Sequence, residues 1–297
     1  MHQLTEEILR KAAADYEQNG FAIIENYLSH DEVDRIKRET VAYVREETAN
    51  SQLAEGRVRP GEIWANPDKN AWYFESGDAK TRLFFEPHAV DEKENKLKIE
   101  VEKALCKIGF ALHKHRPFFM DFVRQKKIVD TLKALDYADP TLIQTMVNFK
   151  NPKVGGEFIP HQDTSYLSTT EPKHVVGFWF ALDDATAENG CLDVIPGSHR
   201  WALCRKYQPC KEKRADGTLL EWTGPMAIYD EKSYIKVPCK KGALILIHGL
   251  LVHKSDPNRT DKSRWAFAFH AFDSARTKWV DAWLPSNCPA FVPIYAN

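Results

Sequence analysis

Pro160-His161-Gln162-Asp163 puts an imidazole and a carboxylate two residues apart. In an extended strand, residues i and i+2 project from one face, so His161 and Asp163 can aim a nitrogen and an oxygen at one point. The third donor is His253, far along the chain after an apolar run. Two imidazoles and a carboxylate on one side of a metal ion form the facial triad of non-haem iron(II) oxygenases, with open positions opposite. The same donor set also makes a catalytic zinc site of the hydrolytic kind. Alone, H-x-D is a weak sign, because a solvated His/Asp pair beside a turn is the commoner use of that tripeptide.

The surroundings add weight. Arg264 follows His253 beyond a turn marked by Asp256-Pro257-Asn258, so one strand can end at the metal and the next return with a guanidinium. A guanidinium grips a carboxylate through two parallel hydrogen bonds. Ser255, two residues past His253, can reach the same carboxylate with its hydroxyl. Most arginines form surface ion pairs, but the run Ser-Arg-Trp-Ala-Phe-Ala-Phe around Arg264 reads as a buried strand. A zinc hydrolase needs no pair that holds an oxoacid, and a non-catalytic jelly roll that binds a small anion needs no metal ligands. His248 stands five residues before His253, which on one strand would place the two on opposite faces, so His248 is read as structural. His199 lies in a turn and reads as stabilising it; His174 and His270 have no motif around them. The basic stretch Arg205 to Arg214 reads as solvated surface.

These residues need a frame. Leu4, Ile8, Leu9, Ala12 and Tyr16 recur at helical spacing, with Gly20 as the stop. Phe21 to Leu28 reads as a strand. Ser29 and Glu32 make a capping box for a second helix, with Val33, Ile36, Val41 and Val44 as its buried stripe. Residues 46 to 98 read as loop with one strand at Arg82–Phe85. Helices are expected over Lys96 to His113 and Pro117 to Leu135. From Leu142 the texture changes to short Val, Ile, Phe and Trp runs separated by Gly, Pro, Asn and Asp, at 142–149, 175–182, 190–195, 234–238, 243–247 and 264–272. That pattern predicts an all-β sandwich or barrel. The expected organisation is a single domain over 1–297, with helical decoration roughly over 1–135 and a β core roughly over 142–285.

Composition excludes several classes. A net charge of −1 over 297 residues gives no basic footprint for nucleic acid. No apolar window is long enough to span a membrane. The six cysteines never form a C-x-x-C pair, which argues against a disulfide framework or structural zinc and for reduced thiols. The amino terminus has no signal-peptide core and the carboxyl terminus is not S-K-L, so the expected location is cytoplasmic.

The stretches GGEFIPHQDTSYL, ENGCLDVIPGSHR, KGALILIHGLLVHKS and SRWAFAFH, together with GDAKTRLFFE, EKALCKIGFALH and IQTMVNFK, resemble the phytanoyl-CoA dioxygenase family over nearly the whole chain. The resemblance implies a double-stranded β-helix, or jelly roll, with iron(II) between its two sheets. It implies His161, Asp163 and His253 as iron ligands and 2-oxoglutarate as co-substrate, with dioxygen. Arg264 and Ser255 would hold the distal carboxylate of 2-oxoglutarate, Trp179 and Met146 would pack on it, and Gln162 would touch it through its backbone. Lys103 matches an upstream lysine near the co-substrate, with Lys107 one helical turn later as its neighbour. The implied reaction hydroxylates an unactivated C–H bond of a small molecule and releases succinate and carbon dioxide. An acyl-CoA or another lipid-like metabolite is the substrate class the family suggests. The outer wall of the site would come from segments 50–90 and 203–232.

Overall fold

Strands rich in Val, Ile, Phe and Trp pair into two antiparallel sheets that face each other. The larger runs in the order Phe21–Ile24, Leu244–His248, Val175–Ala181, Arg264–Asp273, Pro140–Lys150, Leu105–Phe110 and Arg82–Phe85, with Val292–Pro293 also paired to Pro140–Lys150. The smaller runs Ile235–Val237, Leu192–Val194, His253–Ser255 and Phe158–His161. From Phe158 onward the chain crosses repeatedly from one sheet to the other, which is the jelly roll that the family resemblance implies. This is a computed structural model that describes residues 4–50, 81–86, 89–91, 96–212, 220–280, 282 and 284–295. The loop expected over 46–98 is corrected where it is described: 46–50 belong to the helix His30–Asn50, and Val90–Asp91 pairs with Lys96–Leu97; residues 51–80 lie outside the described residues, as do 213–219. Among the described residues no helix is long and apolar enough to cross a membrane.

The helices cover the outer face of the larger sheet. Glu6–Asn19 is capped by Thr5, whose hydroxyl accepts from the Ile8 N–H at 3.3 Å. It stops at Gly20, which has φ +85° and donates its N–H to the Tyr16 carbonyl. Only glycine fits there, because a Cβ would sit 2.5 Å from the His199 ring. His30–Asn50 starts with the predicted capping box: the Ser29 N–H donates to the Glu32 carboxylate at 2.9 Å, and the Glu32 N–H to the Ser29 hydroxyl at 3.3 Å. Pro117–Val123 and Lys126–Ala134 follow as two helices rather than one. Their Phe119 and Phe122 pack on Phe267 and Phe180 of the sheet, with ring centroids 5.3 Å apart in each pair. Full burial of one such ring contributes about 1.5–3 kcal/mol, so this aromatic layer is a main source of cohesion.

One expected helix is corrected. Lys96 to His113 contains a short hairpin strand at Lys96–Leu97, a single turn at Val101–Ala104, then the strand Leu105–Phe110 and a turn at Leu112–His115. The strand is held between Arg82–Phe85 and Pro140–Lys150. Residues 101, 104, 105, 108 and 112 satisfy helical periodicity, but a non-local ladder decides the outcome. The amino-terminal region therefore contributes strands to the larger sheet as well as helices over it.

Candidate metal centre and its cavity

His161 ends the strand Phe158–His161, and His253 begins the neighbouring His253–Ser255; the two are directly paired across the smaller sheet. Cross-strand neighbours share a face, so both imidazoles enter the space between the sheets, with ring centroids 4.2 Å apart. Gln162 remains extended, which turns Asp163 back to the same side as His161, and Asp163 then opens a short 3-10 turn. One ligand atom from each of His161, Asp163 and His253 lies within 4.8 Å of the others. The Asp163 Oδ1 is 3.6 Å from the His161 Nε2 and 3.7 Å from the His253 Nε2.

The backbone fixes which nitrogens face the centre. The His161 Nδ1 lies 2.8 Å from the Ile159 carbonyl, and the His253 Nδ1 3.0 Å from that of Leu251. A carbonyl only accepts, so each Nδ1 carries the proton and each Nε2 presents a lone pair inward. Burial, then the nearby His161, draws the His253 pKa down to about 4, keeping it neutral. Burial works against charge on Asp163, but the imidazoles of His270, His253 and His161 outweigh it and hold the carboxyl well below its usual range. Neutral imidazoles and an ionised carboxylate are the forms a divalent metal requires.

Arg264 starts the strand opposite and is almost wholly buried. Its Nη2 donates to the Ser255 hydroxyl at 2.9 Å, and the hydroxyl itself donates to the Gly190 carbonyl at 3.0 Å. The guanidinium lies 5.3 Å from the centre of the Trp179 ring. Among the described residues no carboxylate pairs with it, and its Nε has no partner. Behind it Lys150 is fully buried, and its ammonium donates to the Gly156 and Asp256 carbonyls at 2.5 and 2.6 Å, which fixes the turn after Ser255.

A cavity of about 370 Å³ joins these groups. Trp179, Ala268 and Met146 form one row across its floor, where the small Ala268 leaves room between two larger side chains. The Gln144 Oε1 and Asn148 Oδ1 on the same wall are buried without partners. Native proteins pair nearly all buried polar atoms, so orphaned atoms gathered around one cavity mark a place for a polar ligand. Both orphaned oxygens are acceptors and call for a ligand or water that donates to them, while the Arg264 guanidinium, with no carboxylate partner among the described residues, fits an anion bound beside a metal.

Two expectations are corrected, the place of Lys103 and the shared strand of His248 and His253; the other expected residues are placed as follows. Lys103 points to solvent and pairs with Glu100 at 2.7 Å. Lys107 lines the cavity instead, alongside Lys254; the Lys107 ammonium stands 4.7 and 4.6 Å from the Phe84 and Phe110 ring centres, and burial draws its pKa down to about 8. The Gln162 side chain turns away from the metal centre: its amide donates to the Leu250 carbonyl at 2.9 Å and accepts from the Cys204 N–H at 2.9 Å, tying down the loop after Trp201. His248 and His253 lie on different strands in different sheets, so the same-strand premise fails. His248 is nevertheless outside the three-donor group, packed between Tyr16 and His199. His199 stands in a 3-10 turn with its Nε2 3.1 Å from the Glu17 carbonyl. Arg205 stacks on Trp222, 3.7 Å from the ring centre, and Arg214 lies outside the described residues.

His270, which has no motif around it, lines the cavity with its Nε2 3.2 Å from the Asp163 Oδ2. A signal was present: counting by twos from Arg264 along one strand face passes Ala266 and Ala268 and arrives at His270.

The phytanoyl-CoA dioxygenase family model matches residues 16–266. A Caenorhabditis elegans protein described as a phytanoyl-CoA dioxygenase domain-containing protein 1 homolog is 38% identical over 275 residues, covering 91% of this chain and 93% of its own. Among solved structures, the non-heme alpha ketoglutarate dependent carbocyclase SnoK from nogalamycin biosynthesis superposes with a TM-score of 0.61 at 17% identity, over 94% of this chain and 88% of its own. The epimerase SnoN, solved with Fe3+, alpha ketoglutarate and nogalamycin RO, gives a TM-score of 0.59 at 17% identity, over 95% and 88%. At that identity the two structures speak for the fold alone.

Proposed function

The chain belongs to the phytanoyl-CoA dioxygenase family, and from that membership we propose that it is an iron(II)- and 2-oxoglutarate-dependent dioxygenase that hydroxylates a C–H bond of a small molecule. One observation carries the reading: three metal-competent donors converge in a cavity that also holds a buried guanidinium with no carboxylate partner among the described residues. A hydrolytic zinc site accounts for the donors but leaves Arg264 without a purpose.

His161, Asp163 and His253 would hold the iron through two Nε2 atoms and a carboxylate oxygen. When bound, iron and 2-oxoglutarate together supply oxidation of a C–H bond by dioxygen, with succinate and carbon dioxide as by-products. The chain's own residues bind and orient. Arg264, steadied by Ser255, offers its free N–H groups to the far carboxylate of the co-substrate, and charge-assisted bonds of this kind are the strong ones. Lys107 adds a second cation on the same wall. Trp179 and Met146 flank the co-substrate and exclude water from it. The substrate reaches the metal past the aromatic side of the cavity, where Tyr166 stands 6.0 Å from the His161 ring. An acyl-CoA or another lipid-like metabolite is the substrate class we favour, on family grounds.

The test is an anaerobic titration with iron(II) and 2-oxoglutarate. A weak visible charge-transfer band should appear and saturate, and Arg264→Ala should weaken co-substrate binding about 10- to 100-fold, the loss expected when a buried charged hydrogen-bond partner is removed. A band that never forms, or an Arg264→Ala titration that overlays the parent curve, would rule the reading out. Succinate release across a panel of acyl-CoAs and small metabolites then identifies the substrate.

A further inference from the structure

We propose that His270 and Gln144 are positioning residues that keep Asp163 a one-oxygen metal ligand. The proposal rests on the metal reading above and concerns the two oxygens of one carboxylate. Oδ1 faces the Nε2 atoms of His161 and His253 at 3.6 and 3.7 Å. Oδ2 faces away from them and meets the His270 Nε2 at 3.2 Å. On the other side of that ring, the His270 Nδ1 lies 3.0 Å from the Gln144 Nε2. A carboxylate oxygen only accepts, so the ring proton sits on the His270 Nε2, pointing at Oδ2, and Nδ1 is left to accept from the Gln144 amide. The relay runs in one direction, from Gln144 to His270 to Asp163.

The same geometry shows that His270 is not a fourth ligand. Its one free lone pair is spent on Gln144, and the three-donor group contains His161, Asp163 and His253 without it. The sheet builds the relay: His270 lies directly across from Gln144 on one neighbouring strand and from Gly177 on the other. Glycine at 177 leaves the space, since a Cβ there would stand 3.2 Å from the His270 ring and 3.4 Å from the Asp163 Oδ2. Without the N–H on Oδ2, the carboxylate is free to rotate and place both oxygens on the metal. That would close one of the positions that the co-substrate and dioxygen need.

The experiment uses the 297-residue chain loaded with cobalt(II), whose visible bands report coordination number and which binds without turnover. Wild type is compared with His270→Phe, His270→Gln and Gln144→Leu, each checked for folding by circular dichroism. Loss of an outer partner of a metal ligand typically weakens metal binding roughly 10- to 100-fold, so His270→Phe should fall in that range and shift the cobalt bands. His270→Gln, which keeps an N–H donor near Oδ2, should recover most of the affinity and the parent bands. Gln144→Leu, which no longer donates to the His270 Nδ1, should fall between them. Folded His270→Phe that matches wild type in affinity and bands overturns the proposal, as does His270→Gln that is as impaired as His270→Phe. Should His270→Phe fail to fold, Gln144→Leu decides, and wild-type behaviour in that variant overturns it. Wild type that binds no cobalt defeats the metal reading itself, an outcome visible before any variant is compared.

Discussion

The two faces of the larger sheet are made by the same strands and share almost nothing in chemistry. On the outer face Phe178, Phe180, Phe267 and Phe269 form a stacked aromatic layer, with Phe178 and Phe269 4.5 Å apart at 14°. On the inner face, one residue out of step, stand Trp179, Gln144, Asn148, Arg264 and His270 around a cavity. The helices close the outer face. The inner face keeps unpaired polar atoms, a buried cation and small residues that leave room for the side chains around the centre. One set of strands thus separates cohesion from chemistry by parity alone.

Paired substitutions would break or sharpen that contrast. His253→Ala should abolish metal binding and turnover yet leave the apo protein within about 1 kcal/mol of its parent, because a ligand imidazole on a cavity wall contributes little packing. Phe267→Ala should do the reverse, losing about 3–5 kcal/mol of stability while the protein that remains folded keeps its metal affinity. Denaturant melts and metal titrations on both variants check the pair. If the two losses coincide in each variant, the faces are not separate.

The histidines give a smaller contrast. Burial draws His113 down to about 4 and His248 to about 3, from an ordinary value of 6.5. Both values are depressed, so the unfolded chain takes up protons first. Their stabilisation is full above pH 6.5 and drains as pH falls toward 4 and below, by on the order of 3 kcal/mol for each histidine. Neither touches the metal centre, so this acid limb should be present in the apo protein as well as the loaded one, as thermal melts between pH 7 and 4 would reveal.

The smallest effect concerns Lys107. Burial lowers its pKa from 10.5 to about 8, so the folded chain resists its charge. That penalty is full below pH 8 and fades as pH rises toward 10.5, making the wild type more stable across this window. Lys107→Met should gain about 1–2 kcal/mol at pH 7, flatten the alkaline rise and weaken 2-oxoglutarate binding. A melt series from pH 7 to 10, with a co-substrate titration, tests all three.

Much of the centre was legible because its determinants are local. The H-x-D spacing, the breaker-rich turn after Ser255 and the family-like stretches each lie within a few residues of the groups they position. The jelly roll was legible because its strands are short and clearly punctuated. What could not be read depends on partners far along the chain. Leu105–Phe110 fits a helix or a strand equally well until Pro140–Lys150 pairs with it, and the family match that named Lys103 rather than Lys107 had no register to correct it. The Gln162 side chain goes to Leu250 and Cys204, which no spacing announces. His270 could have been found by extending the alternation from Arg264, and only the lack of a motif hid it.

The place of Phe158–His161 at the rim of the smaller sheet carries a last consequence. A rim strand exposes a row of unsatisfied backbone groups and invites other chains to add to it. Here the rim ends in one donor of the triad while the adjoining strand begins with another, so an ion shared between them rivets the margin shut. Loading the centre would then do more than enable turnover: it would hold the end of this strand in register with its neighbour, against fraying.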